Sequence, residues 1–157
     1  MEIKAKMKEY LKLIGFFNSF TDDELDQVSS ITEVITTRDM EMVIRENDNP
    51  RGLYFIVKGD FDVVKKITDN KYKRLNQLER GDFFGEMAIL NNEKLSASVV
   101  CRSSGTLLFI SKDAFDEMSI NNLRFSFKIM KELAIVLARR LRYMNLKYGM
   151  SVARHGH

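Results

Sequence analysis

Cysteine occurs once in the 157 residues, at Cys101. A lone thiol closes no internal disulfide and builds no metal cluster, so oxidative stapling and iron–sulfur sensing are excluded and Cys101 reads as a small buried residue. Histidine is almost as scarce. His155 and His157 both lie in the terminal RHGH, so no histidine before residue 155 can hold haem, and the ligand count that zinc needs is not met. No run of eighteen apolar residues exists, which excludes a membrane-spanning helix. The opening MEIKAKMKEY carries charges where a secretory leader needs an apolar stretch, so the chain is expected to be cytoplasmic. The one proline, Pro50, falls in a loop signal, and there is no internal repeat or low-complexity segment. No nucleophile with its base, paired acid and base, or metal cluster can be picked out, so an enzyme is not expected.

What is present is a well-mixed chain, 45% apolar and 30% charged, long enough for one domain with a sizeable core over residues 1–157. The net charge of +3 is unevenly placed. From Arg139 onward come Arg140, Arg142, Lys147 and Arg154 with no acid among them. Such a stretch can touch nucleic acid or an acidic membrane surface, but a solvated helix face is the simpler expectation.

Helical spacing of Ile3, Met7, Leu11 and Ile14 predicts a short first helix. Thr21 followed by Glu24 forms a capping box that opens a second. From about Ile31 to Ile110 the pattern changes to short β-branched and aromatic runs: ITEVITT, EMVIRE, LYFIV, DFDVVKKI, KRLNQL, SASVVCR and TLLFIS. Turn signals such as ENDNPRG, KGD, TDNK and ERGD separate them, and the RGD of Arg80–Asp82 reads as one of these turns. The fold class is therefore mainly β with flanking helices (α+β): an antiparallel β-roll or jelly roll with N-terminal helices and a long C-terminal helix. That last helix, expected over about 122–147, carries Leu123, Phe127, Met130, Ala134, Leu137, Leu141, Met144 and Tyr148 at alternating four and three spacings. Ile129, Leu133 and Val136 widen its apolar face, so one side can lie on the roll while the seam meets a second copy. A homodimer is preferred to a helix packed only on its own domain, because the seam outruns the surface of one small roll.

In this order of elements the chain resembles the cyclic-nucleotide-binding domain family over roughly residues 14 to 145. FFGEMAIL followed by SASV is similar to the family's phosphate-binding cassette. LYFIVKGDFDVV resembles its core hairpin joined at a glycine, here Gly59, and LARRLRYMN is similar to the dimerising helix of catabolite-activator-type regulators. The resemblance implies a regulatory module that binds cyclic AMP or cyclic GMP, needs no metal, and moves its final helix to signal to a downstream protein. A DNA-reading head would need a further helical domain, and the sequence stops at His157.

The residues support the same site. A cyclic nucleotide presents a ribose hydroxyl, one negative phosphate and a planar base. Gly85 lets backbone approach closely, and a short helix through Met87 and Ala88 can turn free amides toward an anion. Glu86 repels phosphate but, as an acceptor-only carboxylate, suits the 2′-hydroxyl, which the resemblance makes its partner. Ser96 and the amide of Ala97 are uncharged donors for the phosphate. Strand alternation would put Ser96 and Ser98 on one face and Ala97 and Val99 on the other, leaving Ser96 as the single serine contact. Met144 and Asn145 match places from which the last helix can reach the base.

The pattern breaks at one position. The family's cassette has an arginine gripping the phosphate where this chain has Leu95, preceded by Lys94. An extended segment would point Lys94 away, although its long stem could swing back from a turn. Binding is therefore expected to survive in weakened form; the alternative is a dimerising interaction module with a degenerate pocket. Two of the family's turn glycines are also replaced, by Met40 and Asn47, of which only asparagine readily takes a left-handed backbone. Adenine and guanine are left unresolved.

Overall fold

A computed structural model describes residues 2–155, with side-chain burial assigned for 5–154; His157 and the side chain of His155 lie outside the described residues. The first helix, α1 (Glu2–Lys12), buries Met7 and Leu11, and Ile14 follows it into the core. A single 3₁₀ turn (Gly15–Phe17) then drives Phe16 and Phe17 inward, beside Phe20. Helix α2 (Asp22–Ser30) opens on the expected capping box: Glu24 N donates to Thr21 Oγ1 and Thr21 N donates to Glu24 Oε1.

Eight strands follow: β1 (Thr32–Thr37), β2 (Met42–Ile44), β3 (Gly52–Lys58), β4 (Phe61–Thr68), β5 (Lys71–Leu78), β6 (Phe83–Phe84), β7 (Ser98–Cys101) and β8 (Gly105–Ser111). They form two four-stranded antiparallel sheets, ordered β1-β8-β3-β6 and β2-β7-β4-β5. Strand β3 is buried on both faces. Leu53, Phe55 and Val57 join the helical layer around Phe16, Phe17 and Phe83, while Tyr54 and Ile56 face the interior of the roll with Phe61, Phe84, Val99 and Leu107. This is the antiparallel β-roll with flanking helices that the turn-punctuated strands predict. The unforeseen strand is β6, two residues long and too short for a periodic signal.

Between the strands, Met40 and Asn47 both take left-handed backbone, with φ of 64° and 71°. Methionine adopts the conformation that its side chain disfavours because the turn is held from outside: Met40 N donates to Cys101 O at 2.7 Å. Its side chain stays in solvent. Met40→Gly should therefore raise unfolding stability by about 0.5–1 kcal/mol, since relief of left-handed strain outweighs the extra chain freedom of glycine. Urea denaturation of the two proteins checks it; an unchanged or lower midpoint would show the turn to be unstrained.

Helix α4 (Lys112–Asn121) leads into α5 (Leu123–His155), 33 residues long and longer than the predicted stretch. Phe125, Ile129 and Leu133 anchor the first half of α5 in the helical core, with Met130, Val136 and Leu137 packed beside them. A polar clamp adds to this. Lys128 Nζ donates to Ser19 O at 2.7 Å and to Glu24 Oε1 at 2.8 Å, above the Phe20 ring. The lysine and the α2 capping interaction together hold the Glu24 carboxyl below its ordinary pKa. A carboxyl with a lowered folded-state pKa contributes stability above its unfolded value, and loses it as pH falls through the folded one. Glu24→Gln keeps the cap but not the charge. It should cost about 0.5–1 kcal/mol at pH 7, and the deficit should close as pH falls through the lowered folded-state value. Thermal melts across pH test this; a deficit independent of pH would assign the loss to shape.

Candidate functional site

Two backbone hydrogen bonds fix the cassette. Leu95 N donates to Asp48 O at 3.0 Å, and Asn47 N donates to Leu95 O at 2.8 Å, so the left-handed turn at Asn47 grips Leu95 from both sides. On the opposite wall Gly85 has φ of 79°, and a Cβ there would lie 2.5 Å from Gly52 O. Any larger residue would push the Phe84–Met87 turn off β3. Between these walls lies a cleft of about 200 Å³, lined by Gly85, Glu86, Met87, Leu95, Ser96 and Ala97. Ile44, Val63, Leu78, Phe84 and Val99 form its apolar floor.

Six of the residues singled out in the sequence thus share one cleft. Others do not reach it. Ala88 is buried, with its amide donating to Gly85 O, so the four-residue helix α3 (Met87–Leu90) does not offer that amide to a ligand as expected. Lys94 is exposed and does not line the cleft; Leu95, 6% exposed, forms the wall in its place. Asn145 is exposed on α5 and does not line the cleft, whereas Met144 borders an adjoining groove of about 760 Å³ between β5 and α5.

The expected alternation also fails at one point. Strand β7 begins only at Ser98, so Ser96 sits on a bend before the pleat is established and lies with Ala97 and Val99 on the cleft side. Ser98 is buried, where its Oγ accepts from Glu46 N at 2.8 Å. The carbonyl of Ser96 accepts from Lys65 Nζ at 3.0 Å, and that lysine also pairs with Glu46 at 3.6 Å. Lys65 is therefore engaged by Glu46 and the Ser96 carbonyl, and it is not among the residues that line the cleft.

Arg140 is the residue that motif reading missed. It projects from α5 over the Phe83 ring at 4.5 Å, its Nη2 donating to Phe83 O at 3.4 Å, and it lines both the cleft and the adjoining groove. The signal for it was present in the sequence: Arg140 falls one turn beyond Val136, on the face of α5 that runs through Phe125, Ile129 and Leu133 into the core. Among the described residues, neither Arg140 nor Glu86 has an oppositely charged partner within 4.0 Å. Also among them, no group of three or more His, Cys, Asp or Glu gathers to hold a metal, and no helix is long and apolar enough to cross a membrane.

Sequence comparison matches residues 35–122 to the family described as cyclic nucleotide-binding domain. A cGMP-dependent protein kinase of Drosophila melanogaster, isozyme 2 forms cD5/T2, is 26% identical over 123 residues, covering 76% of this chain and 13% of the kinase. Among solved structures, a cyclic nucleotide-binding domain from Methylobacillus flagellatus KT is similar with a TM-score of 0.77 and 22% identity, over 90% of this chain and 80% of that one. The regulatory subunit of a cAMP-independent protein kinase A from Trypanosoma cruzi, bound to guanosine, gives 0.73 and 18% over 99% and 52%. The chain thus spans only about an eighth of the Drosophila kinase and half of the trypanosome subunit. With more than half of its length matched, and the roll and cassette turn in place, the chain belongs to the cyclic nucleotide-binding domain family.

Proposed function

We propose that this chain is a single, non-catalytic regulatory domain of the cytoplasm whose cleft takes a purine riboside ligand, with cyclic AMP or cyclic GMP bound only weakly. The observation that carries this is the Glu86 carboxylate, half-buried at the cleft, without a cationic partner among the described residues, and facing an otherwise largely apolar lining. A carboxylate that has no cationic partner and is acceptor-only suits a ligand that brings hydroxyl donors, and a ribose does. Ser96 and the Ala97 amide offer neutral donors at the far wall. The trypanosome neighbour's guanosine indicates that the same fold can hold a riboside with no phosphate at all. Glu86→Gln preserves shape and removes the charge, so it should weaken ligand binding by about 1–3 kcal/mol while leaving the unfolding midpoint nearly unchanged. Calorimetric titration with cyclic and uncyclised purine ribosides measures this. Unaltered affinity would place the ligand outside the cleft.

Signalling to an unidentified downstream protein would run through α5, which meets the cleft at Arg140, in a homodimer. Leu123, Phe127, Leu141, Met144 and Tyr148 of the predicted seam are all exposed, and residues 141–154 are exposed on every side. That is about 20 Å of helix whose apolar seam residues stay in solvent, which an isolated chain supports poorly. A second copy pairing along the seam would cover them. The same exposure favours the alternative reading, an interaction module whose cleft no longer binds ligand and whose helix does the work. Leu141→Asp with Tyr148→Asp leaves the anchored half of α5 intact, and should convert a dimer into a folded monomer, as charges cannot be buried unpaired along the strip. Sedimentation decides it: a parent protein already monomeric at tens of micromolar, roughly where such helices pair, would remove the dimer.

A further inference from the structure

The charges lining the cleft cancel. Glu86 contributes one negative charge and Arg140 one positive, and the remaining lining is neutral and largely apolar. At the Ser96 wall, where a cyclic phosphate would lie, Leu95 is turned inward and only 6% exposed. Its two backbone hydrogen bonds to the Asn47–Asp48 turn leave the segment little freedom to exchange Leu95 for Lys94, and the Lys65 ammonium is already paired with Glu46 and bonded to the Ser96 carbonyl. Among the described residues that line the cleft, the cation is Arg140, on the α5 side, engaged with the ring and carbonyl of Phe83. A monoanionic ligand would give this cleft a net negative charge with no arginine at the Ser96 wall to grip it. A neutral one would not.

We propose that the cleft is built for an uncharged purine nucleoside in preference to the matching cyclic nucleotide, Leu95 packing where the phosphate would otherwise be gripped. The proposal rests on the riboside-binding reading above and specifies its ligand. Glu86 serves both ligands through the ribose hydroxyl. Leu95 penalises only the one that carries phosphate, since it substitutes apolar surface for a charge-assisted fork.

The test is calorimetric titration of the parent chain with adenosine, guanosine, cyclic AMP and cyclic GMP, beside Leu95→Arg, Glu86→Gln and Arg140→Ala. The parent should bind a nucleoside at least tenfold more tightly than its cyclic phosphate. Leu95→Arg should reverse the order, with the cyclic nucleotide gaining about ten- to a hundredfold and the nucleoside gaining nothing. Glu86→Gln should weaken both ligands by the same factor. The parent comparison stands by itself if Leu95→Arg does not fold. Cyclic nucleotide bound as tightly as nucleoside in the parent overturns the proposal while the riboside-binding reading survives. If Arg140→Ala then abolishes only cyclic nucleotide binding, the α5 arginine is the phosphate partner instead. A parent that binds none of the four ligands removes both the proposal and the reading beneath it.

Discussion

Strand β3 is buried on both faces, and the rest of the molecule is arranged around that constraint. Its odd-numbered side chains, Leu53, Phe55 and Val57, need the helical layer; its even-numbered ones, Tyr54 and Ile56, need the second sheet. Each such side chain contributes on the order of 1.5–3 kcal/mol only when fully removed from water, so neither layer can be lost without exposing one side of the strand. The aromatic run GFFNSF exists for this layer: the Phe16 and Phe17 rings lie 5.0 and 4.9 Å from that of Phe55. Edge pairing of β3 with β6 then places Phe83 on the helical side and Phe84 on the roll side, and delivers Gly85 and Glu86 to the cleft.

The same arrangement makes Phe83 a hinge between core and site. One side of its ring packs with Phe16 and Phe55 in the helical core, and Arg140 of α5 lies over it. The cleft therefore adjoins α5 through a residue whose footing is the core itself. Occupancy can move α5 only to the extent that the ligand prefers one position of the helix over another. Arg140 is suited to provide that difference, because its contacts with Phe83 are a ring face and a long 3.4 Å hydrogen bond rather than a carboxylate pair, and such contacts are weak enough to exchange.

Much of this was legible from residue pattern. The strand runs, the Thr21–Glu24 cap, the Gly85–Glu86 turn and the buried stripe of α5 are all local signals, carried by periodicity or by one residue type that the backbone requires. What escaped detection depended on non-local contacts. The left-handed Met40 is held by the Cys101 carbonyl, sixty residues on, which no local propensity anticipates. Ser96 lies at the cleft as expected, but it shares that side with Ala97 and Val99, because β7 starts only at Ser98 and an alternation rule does not hold before a strand begins. Ala88 was assigned to the ligand because helix-end amides are usually free, but in a helix of only four residues the Ala88 amide closes on Gly85 O. Arg140 was read as part of a basic tail, although its helical phase relative to Ile129 and Leu133 points it inward.

The replacement at position 95 is better understood with its neighbours than alone. A leucine substituted into an otherwise phosphate-shaped cassette would leave a defect: free donors around an apolar side chain. Here the surroundings agree with the leucine. Its backbone is gripped by a turn whose left-handed residue, Asn47, tolerates that conformation; Lys94 is exposed to solvent; Lys65 is paired with Glu46; and the charges lining the cleft balance. Consistency between a side chain, its backbone and the charges around it is what distinguishes a sequence adapted to a structure from one carrying damage. Glu86 stands apart in this cleft: among the described residues no cation lies within 4.0 Å of it, so its carboxylate accepts from water or from whatever donor enters.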